Sequence, residues 1–312
     1  MHSVIACAEQ ARSAEARQST RLETSQVQPN IAKLFLASLC LAAVFAAPAH
    51  ANRSQLKAAK SWTYQLQGNI GAIASSGADV AVIDWDHAGS RAAVERLKQK
   101  PGGGRRVVIG YLSIGEAERG RGYWKSCCAN SSPAWLTSKT QGWAGNYAVR
   151  YWDPAWKSIV MQRLSELIAA GFDGVYLDRA DTWETMRGQN ANARSAMIQL
   201  IKEVASAARA KKGDFAIMVQ NAEELLTDAS YLAAIDAIAK EDLFHGIKHD
   251  GRRNASGDIS SSVRDLKRAQ AQGKAIFVIE YLKGANAETV RSEIRAQGFI
   301  PFFGPRNLAG QN

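Results

Sequence analysis

One pattern constrains this chain more than any other. A short apolar run ends in an acidic or amide residue, a polar loop follows, and then an amphipathic stretch leads to the next run. It is clearest at Gly171-Phe172-Asp173-Gly174-Val175-Tyr176-Leu177-Asp178-Arg179. Gly171 stands where a helix C-cap is expected, Val175 to Asp178 reads as a strand, and Asp178 is the carboxylate at its exit. Comparable runs are Trp62 to Gln67, Val80 to Trp85, Val107 to Ser113, Phe215 to Val219, Ala234 to Ala239, Ala275 to Ile279 and Phe299 to Phe303. Helical patterns at Arg91 to Lys100, Pro154 to about Ala170, Ala193 to Ala210 and Ala287 to Gln297 separate several of them, and the polar span His249 to Ser262 reads as an exposed loop. Eight strands alternating with helices predict an α/β fold, a (β/α)8 TIM barrel in one domain.

The first 51 residues are excluded from that domain. Leu34 to Ala47 is a short apolar run preceded by Lys33 and followed by Ala49-His50-Ala51, a small-x-small cleavage pattern. This is the form of a secretory signal peptide and is too short for a transmembrane span. Residues 1–51 are therefore expected to be a removed leader and 52–312 the barrel, secreted or periplasmic, with no stable membrane insertion. The remaining chain would carry a charge of +9, but its cations are scattered as on solvated helix faces. No nucleic-acid partner is expected, and a monomer is.

The strand ends carry the chemistry. Asp84, Glu116, Asp178, Gln220-Asn221, Glu241 and Glu280 lie at or just beyond successive C-terminal strand ends, which barrel closure gathers around one mouth. A single acid after a strand is often only a helix N-cap. Five acid-bearing ends imply a common site. Clustered carboxylates raise one another's pKa, so that one stays protonated while another is ionised, the division of labour glycoside cleavage needs.

The 117–153 excursion is rich in aromatics, among them Tyr123, Trp124, Trp135, Trp143, Tyr147, Tyr151 and Trp152. Such rings stack on sugar faces or simply cover the barrel edge; Tyr111 and Trp152 are favoured for the site. No histidine stands at metal-ligand spacing, so no metal and no cofactor is expected; an all-oxygen magnesium or calcium site is the competing use of the acids. Cys127 and Cys128 are adjacent and receive no catalytic role. Serine-elbow, Cys–His and Walker motifs are missing, and Gly102-Gly103-Gly104 reads as a turn. Asp173 and Asp236, at strand starts, are expected to stabilise the barrel bottom.

At Ile83-Asp84, Tyr111-Leu112-Ser113-Ile114-Gly115-Glu116-Ala117-Glu118, Tyr151-Trp152-Asp153-Pro154, Phe172-Asp173-Gly174-Val175-Tyr176-Leu177-Asp178, Gln220-Asn221, Glu241-Asp242-Leu243-Phe244 and Glu280-Tyr281 the chain resembles glycoside hydrolase family 114, the endo-alpha-1,4-polygalactosaminidase family of TIM barrels. The resemblance spans essentially everything after the leader. It implies Asp178 as nucleophile or nucleophile-like carboxylate and Glu241 as general acid/base. Asp84, Glu116, Asn221 and Glu280 would then hold the sugar or tune the pair, and Tyr111, Trp152, Asp153, Gln220 and Tyr281 complete the expected substrate-binding set. The implied partner is a polysaccharide or oligosaccharide containing galactosamine. Arg179 and Lys240 depart from the small or apolar residue and the arginine that the family pattern leads one to expect. The rival readings are a non-catalytic carbohydrate-binding or envelope protein on the same scaffold, and a polyanion binder with a contiguous basic patch.

Overall fold

A computed structural model describes residues 51–140 and 142–310. The leader reading falls on residues outside these, save for Ala51, which opens the helix Ala51–Ala58. The strands in chain order are β1 (Trp62–Gln65), β2 (Val80–Ile83), β3 (Val107–Ser113), β4 (Glu116–Glu118), β5 (Leu136–Lys139), β6 (Asn146–Val149), β7 (Gly174–Asp178), β8 (Ala216–Gln220), β9 (Ala237–Glu241), β10 (Ala275–Glu280) and β11 (Ile300–Phe303). Eight form one parallel sheet in the order β1-β2-β3-β7-β8-β9-β10-β11. Its edges meet: the Trp62 indole donates to the Ile300 carbonyl at 3.0 Å, and the Leu66 and Gln67 amides donate to the Leu308 carbonyl. Helices surround it, so the fold is a (β/α)8 TIM barrel, as the run pattern predicts.

Strand alternation divides the apolar residues into two cores. Trp62, Tyr64, Val80, Val82, Ile109, Tyr111, Tyr176, Met218, Ala239, Phe277 and Ile279 fill the barrel interior. Their neighbours Ala81, Ile83, Val108, Leu112, Val175, Leu177, Val219, Ile238, Ile276 and Val278 face the helices. Side chains two apart share a face, and this period decides below which strand-end acids reach the mouth.

The barrel bottom is pinned by buried carboxylates, as expected from their place at strand starts. Asp173 takes hydrogen bonds from the Val108 amide (3.1 Å) and Arg105 (2.8 Å), with Lys98 and Lys212 each at 3.4 Å. Asp236 accepts from the Ile217 amide, Arg53 and Arg209 at 2.8–2.9 Å. Each carboxylate therefore ties strand backbone to basic residues of flanking segments.

Two expectations need correction. The span read as a loop to Ser262 becomes helical at Ser256, and the helix Ser256–Ala271 turns Leu266 and Ala269 inward with Ile259 and Val263 packed alongside. Those residues have helical spacing, but Gly257 and four serines in the first two turns mask it. The aromatic excursion is also no simple loop: β4, β6 and β5 form an antiparallel sheet in that order. Cys127 and Cys128 are joined to each other in a disulfide.

Candidate active site

Alternation carries the inner face of each strand out to the rim. Two residues beyond Val82, Tyr176, Met218, Ala239 and Ile279 stand Asp84, Asp178, Gln220, Glu241 and Tyr281. A cleft of about 500 Å³ opens there, lined among others by Tyr64, Asp84, Asp86, Tyr111, Glu116, Glu118, Arg121, Trp143, Asn146, Asp178, Arg179, Gln220, Asn221 and Glu241. The acids ending β7 and β9, distant in sequence, thus share one cavity.

Asp178 is held on both oxygens. Tyr111 donates its hydroxyl at 2.6 Å and the Arg179 amide donates at 2.7 Å. Burial pushes the Asp178 carboxyl up to about 7, Arg179 and Tyr111 oppose the rise, and Asp181 and Glu241 add to it. Glu241 receives Gln220 Nε2 at 2.8 Å on one oxygen and the Tyr281 hydroxyl on the other, and its amide donates to Asn221 Oδ1 at 3.0 Å. Burial raises its carboxyl too, with Asp242 adding and Tyr281, Arg306 and Lys240 opposing. The Tyr176 hydroxyl lies buried where both carboxylates act on it.

The loops leaving these strands turn sharply. Arg179, Asn221, Ala222 and Asp242 all adopt left-handed backbone, with φ between 54 and 63°. Gly115 permits the other close approach, since a Cβ there would collide with the Arg179 carbonyl and Thr182. That contact brings β4 against the exit of β7 and delivers Glu116 to the cleft.

Two arginines sit among the acids. Arg179 Nε lies 2.7 Å from Glu116 Oε1, and Glu116 also accepts from Thr140 (2.7 Å) and Asn146 (3.3 Å). Arg121 bridges Asp84 (2.6 Å), Asp86 (2.9 Å) and Glu118 (2.6 Å), and its guanidinium stands 5.6 Å over the Tyr111 ring. Asp84 also accepts the Asp86 amide as an N-cap. Six carboxylates against two guanidinium groups leave the lining acidic on a chain of formal charge +10. Among the described residues no group of three or more His, Cys, Asp and Glu could hold a metal ion.

Asp84, Tyr111, Glu116, Asp178, Gln220, Asn221 and Glu241 are brought together as expected, and Tyr281 reaches the site through Glu241. Three other residues are not. Glu280 stands one position out of phase with the inner residues Phe277 and Ile279, so it is fully buried behind the barrel wall, accepting the Phe244 (2.7 Å) and His245 (3.3 Å) amides. Asp153 caps the helix Pro154–Ala169 through the Ala155 amide at 2.8 Å. Trp152 packs edge-on against Tyr151 beside the outer core. Lys240 turns away from the cleft to Glu223 at 3.1 Å. Trp124 and Trp135 are buried in the outer core, whereas Trp143 is 48% exposed at the cleft. Sequence reasoning missed Arg121 and Glu118. The two-residue spacing of Glu116 and Glu118 was the available signal, but Arg121 had none.

The profile described as Glycoside-hydrolase family GH114 matches residues 44–312. An uncharacterized protein of Deinococcus radiodurans is 34% identical over 259 residues, covering 81% of this chain and 82% of the relative. An uncharacterized protein of Thermotoga maritima is 34% identical over 231 residues, 71% of this chain and 70% of its own. Among solved structures, the glycoside hydrolase domain of PelA from Pseudomonas aeruginosa superposes with a TM-score of 0.64 at 21% identity, over 80% of this chain and 95% of that one. Aspergillus fumigatus Ega3 in complex with galactosamine gives 0.61 at 19% identity, over 80% and 92%. The two structural likenesses establish a shared fold.

Proposed function

The chain belongs to glycoside-hydrolase family GH114 and is a glycoside hydrolase; from that premise we propose that it cleaves alpha-1,4 linkages within a galactosamine-containing polysaccharide, using Asp178 and Glu241 as its carboxylate pair. The observation that carries the reading is the shared cleft. Both acids face it, both are oriented by tyrosine hydroxyls, and burial raises both. The Glu241 charge adds to the rise of the Asp178 carboxyl, so an ionised Glu241 disfavours an ionised Asp178.

Glu241, in its protonated form, delivers a proton to the leaving glycosidic oxygen. Asp178, ionised, attacks or shields the positive charge developing at the anomeric carbon. These are the roles that the family resemblance implies for the two acids. The acidic lining supports an unacetylated amino sugar, and so does the galactosamine in the Ega3 complex. Trp143 offers an exposed face for a sugar ring at the entrance. The apolar run Leu34 to Ala47, followed by Ala49-His50-Ala51, supports secretion, and no described helix is long and apolar enough to cross a membrane.

The test is product analysis by mass spectrometry after incubation with galactosamine polymers, deacetylated and acetylated. Oligosaccharides are expected from the deacetylated polymer, with release abolished in Asp178→Asn and Glu241→Gln. Wild-type rates from either variant would remove that residue from the pair. Cleavage of only the acetylated polymer would overturn the substrate.

A further inference from the structure

Each of the two carboxylates is held by a tyrosine hydroxyl, and each of those tyrosine rings carries an arginine on its face. Arg121 covers Tyr111 within the cleft. Arg306 stands 4.3 Å over Tyr281 but comes from the segment after β11 and is not part of the cleft lining. Its Nη2 donates to Asp242 Oδ1 at 2.9 Å and its Nη1 to Oδ2 at 3.1 Å, gripping the residue next to Glu241; Asp250 pairs with its outer edge. Gly246, at φ 113°, makes room for this grip, since a Cβ there would collide with both the Asp242 carboxylate and the Arg306 guanidinium.

We propose that Arg306 is a positioning residue for Glu241: clamped to Asp242 and stacked on Tyr281, it aims the Tyr281 hydroxyl and sets the charge that the acid feels. The inference rests on the reading of Glu241 as general acid. A cation on the ring face draws electron density from the phenol and strengthens it as a donor. The same cation offsets Asp242, which sits in a left-handed turn immediately after Glu241. The charged and titratable groups acting at Glu241 are Tyr281 from the end of β10, Asp178 and Tyr176 from β7, Lys240 and Asp242 from its own segment, and Arg306. Lys240 is engaged by Glu223, whereas Arg306 and Asp242 oppose one another directly at the acid.

Removing Arg306 therefore makes Glu241 hold its proton to higher pH, and removing the Asp242 charge makes it release the proton earlier. Two measurements test this: the pH profile of kcat on the deacetylated polymer, and a carbon-13 NMR titration of Glu241 with its resonance assigned from Glu241→Gln. In Arg306→Met the activity retained on the alkaline side, relative to the optimum, is expected to rise about threefold, and in Asp242→Asn to fall about threefold. Arg306→Lys, a cation without the planar stack, falls between wild type and Arg306→Met. The NMR midpoint moves in the same directions, free of the substrate's own amines. Unmoved profiles, or shifts of one sign in both variants, would overturn the proposal, since a merely structural role lowers activity without opposite shifts. If Arg306→Met does not fold, Asp242→Asn and Arg306→Lys still decide it. Wild-type rates in Glu241→Gln would instead sink the acid assignment. An inactive Glu241→Gln with an unmoved Glu241 titration in the Arg306 variants would sink this inference alone.

Discussion

Replacing Tyr111 by Phe removes one oxygen from the site and little else. The ring remains stacked on Tyr176 at 6.5 Å and under the Arg121 guanidinium. What disappears is the 2.6 Å hydrogen bond to Asp178 Oδ2. A hydrogen bond to a charged group is worth about 1.5–3 kcal/mol, so the variant should lose about ten- to a hundredfold in kcat/KM. The loss has a pH signature. Tyr111 lowers the Asp178 carboxyl against the burial that lifts it to about 7, so without the hydroxyl it is lifted further. A nucleophile that must be ionised is then protonated over more of the acidic range. The deficit is expected to be largest at about pH 5 and to shrink toward about pH 9. The assay is kcat/KM on the deacetylated polymer across that range, with a thermal melt to establish that the fold is intact. Wild-type activity throughout, or a deficit independent of pH, would refute the reasoning.

Two further outcomes follow from the site and the wall behind it. Trp143→Ala removes an exposed ring at the cleft, so KM for the polymer should rise about tenfold with the melting temperature unchanged; an unchanged KM would place the sugar elsewhere. Burial lifts the Glu280 carboxyl to about 8 and Asp178 to about 7, so the native state keeps protons that the unfolded chain releases. Their stabilisation is complete below the unfolded carboxylate range and is lost as pH rises through the folded values. Urea unfolding should therefore show stability falling from about pH 4.5 to about pH 8, by at most about 1.4 kcal/mol per pH unit for each group. A flat curve across that window would contradict it.

The barrel was legible because its strands are buried on both faces and read as unbroken apolar runs. Acids at the exits of β2, β7 and β9 were legible as a site for the same reason, each marking where burial stops. Glu280 looked equivalent along the chain. Its neighbours distinguish it: Phe277 and Ile279 face inward, so Glu280 faces out, and strand parity could have excluded it. Asp153 and Trp152 failed differently, since an acid before a proline-started helix already has a backbone partner to serve. Arg121 was invisible because its meaning lies in Asp84 and Asp86, more than thirty residues away. The helix Ser256–Ala271 was lost because small polar residues resemble a loop locally, while packing against the barrel selects its apolar stripe.

The left-handed residues leaving β7, β8 and β9 make the rim the costly end of this molecule. A residue with a Cβ costs up to about 1–2 kcal/mol so bent, with Asn221 and Asp242 of the types that tolerate it best and Arg179 and Ala222 bearing the most. Glycine at Arg179, Asn221 or Asp242 would relieve the backbone there. The same change would discard the Glu116 partner, the Asn221 oxygen that holds the Glu241 amide, or the carboxylate that Arg306 grips. The strained backbone at these three positions is therefore kept together with the side-chain contacts that hold the rim in place.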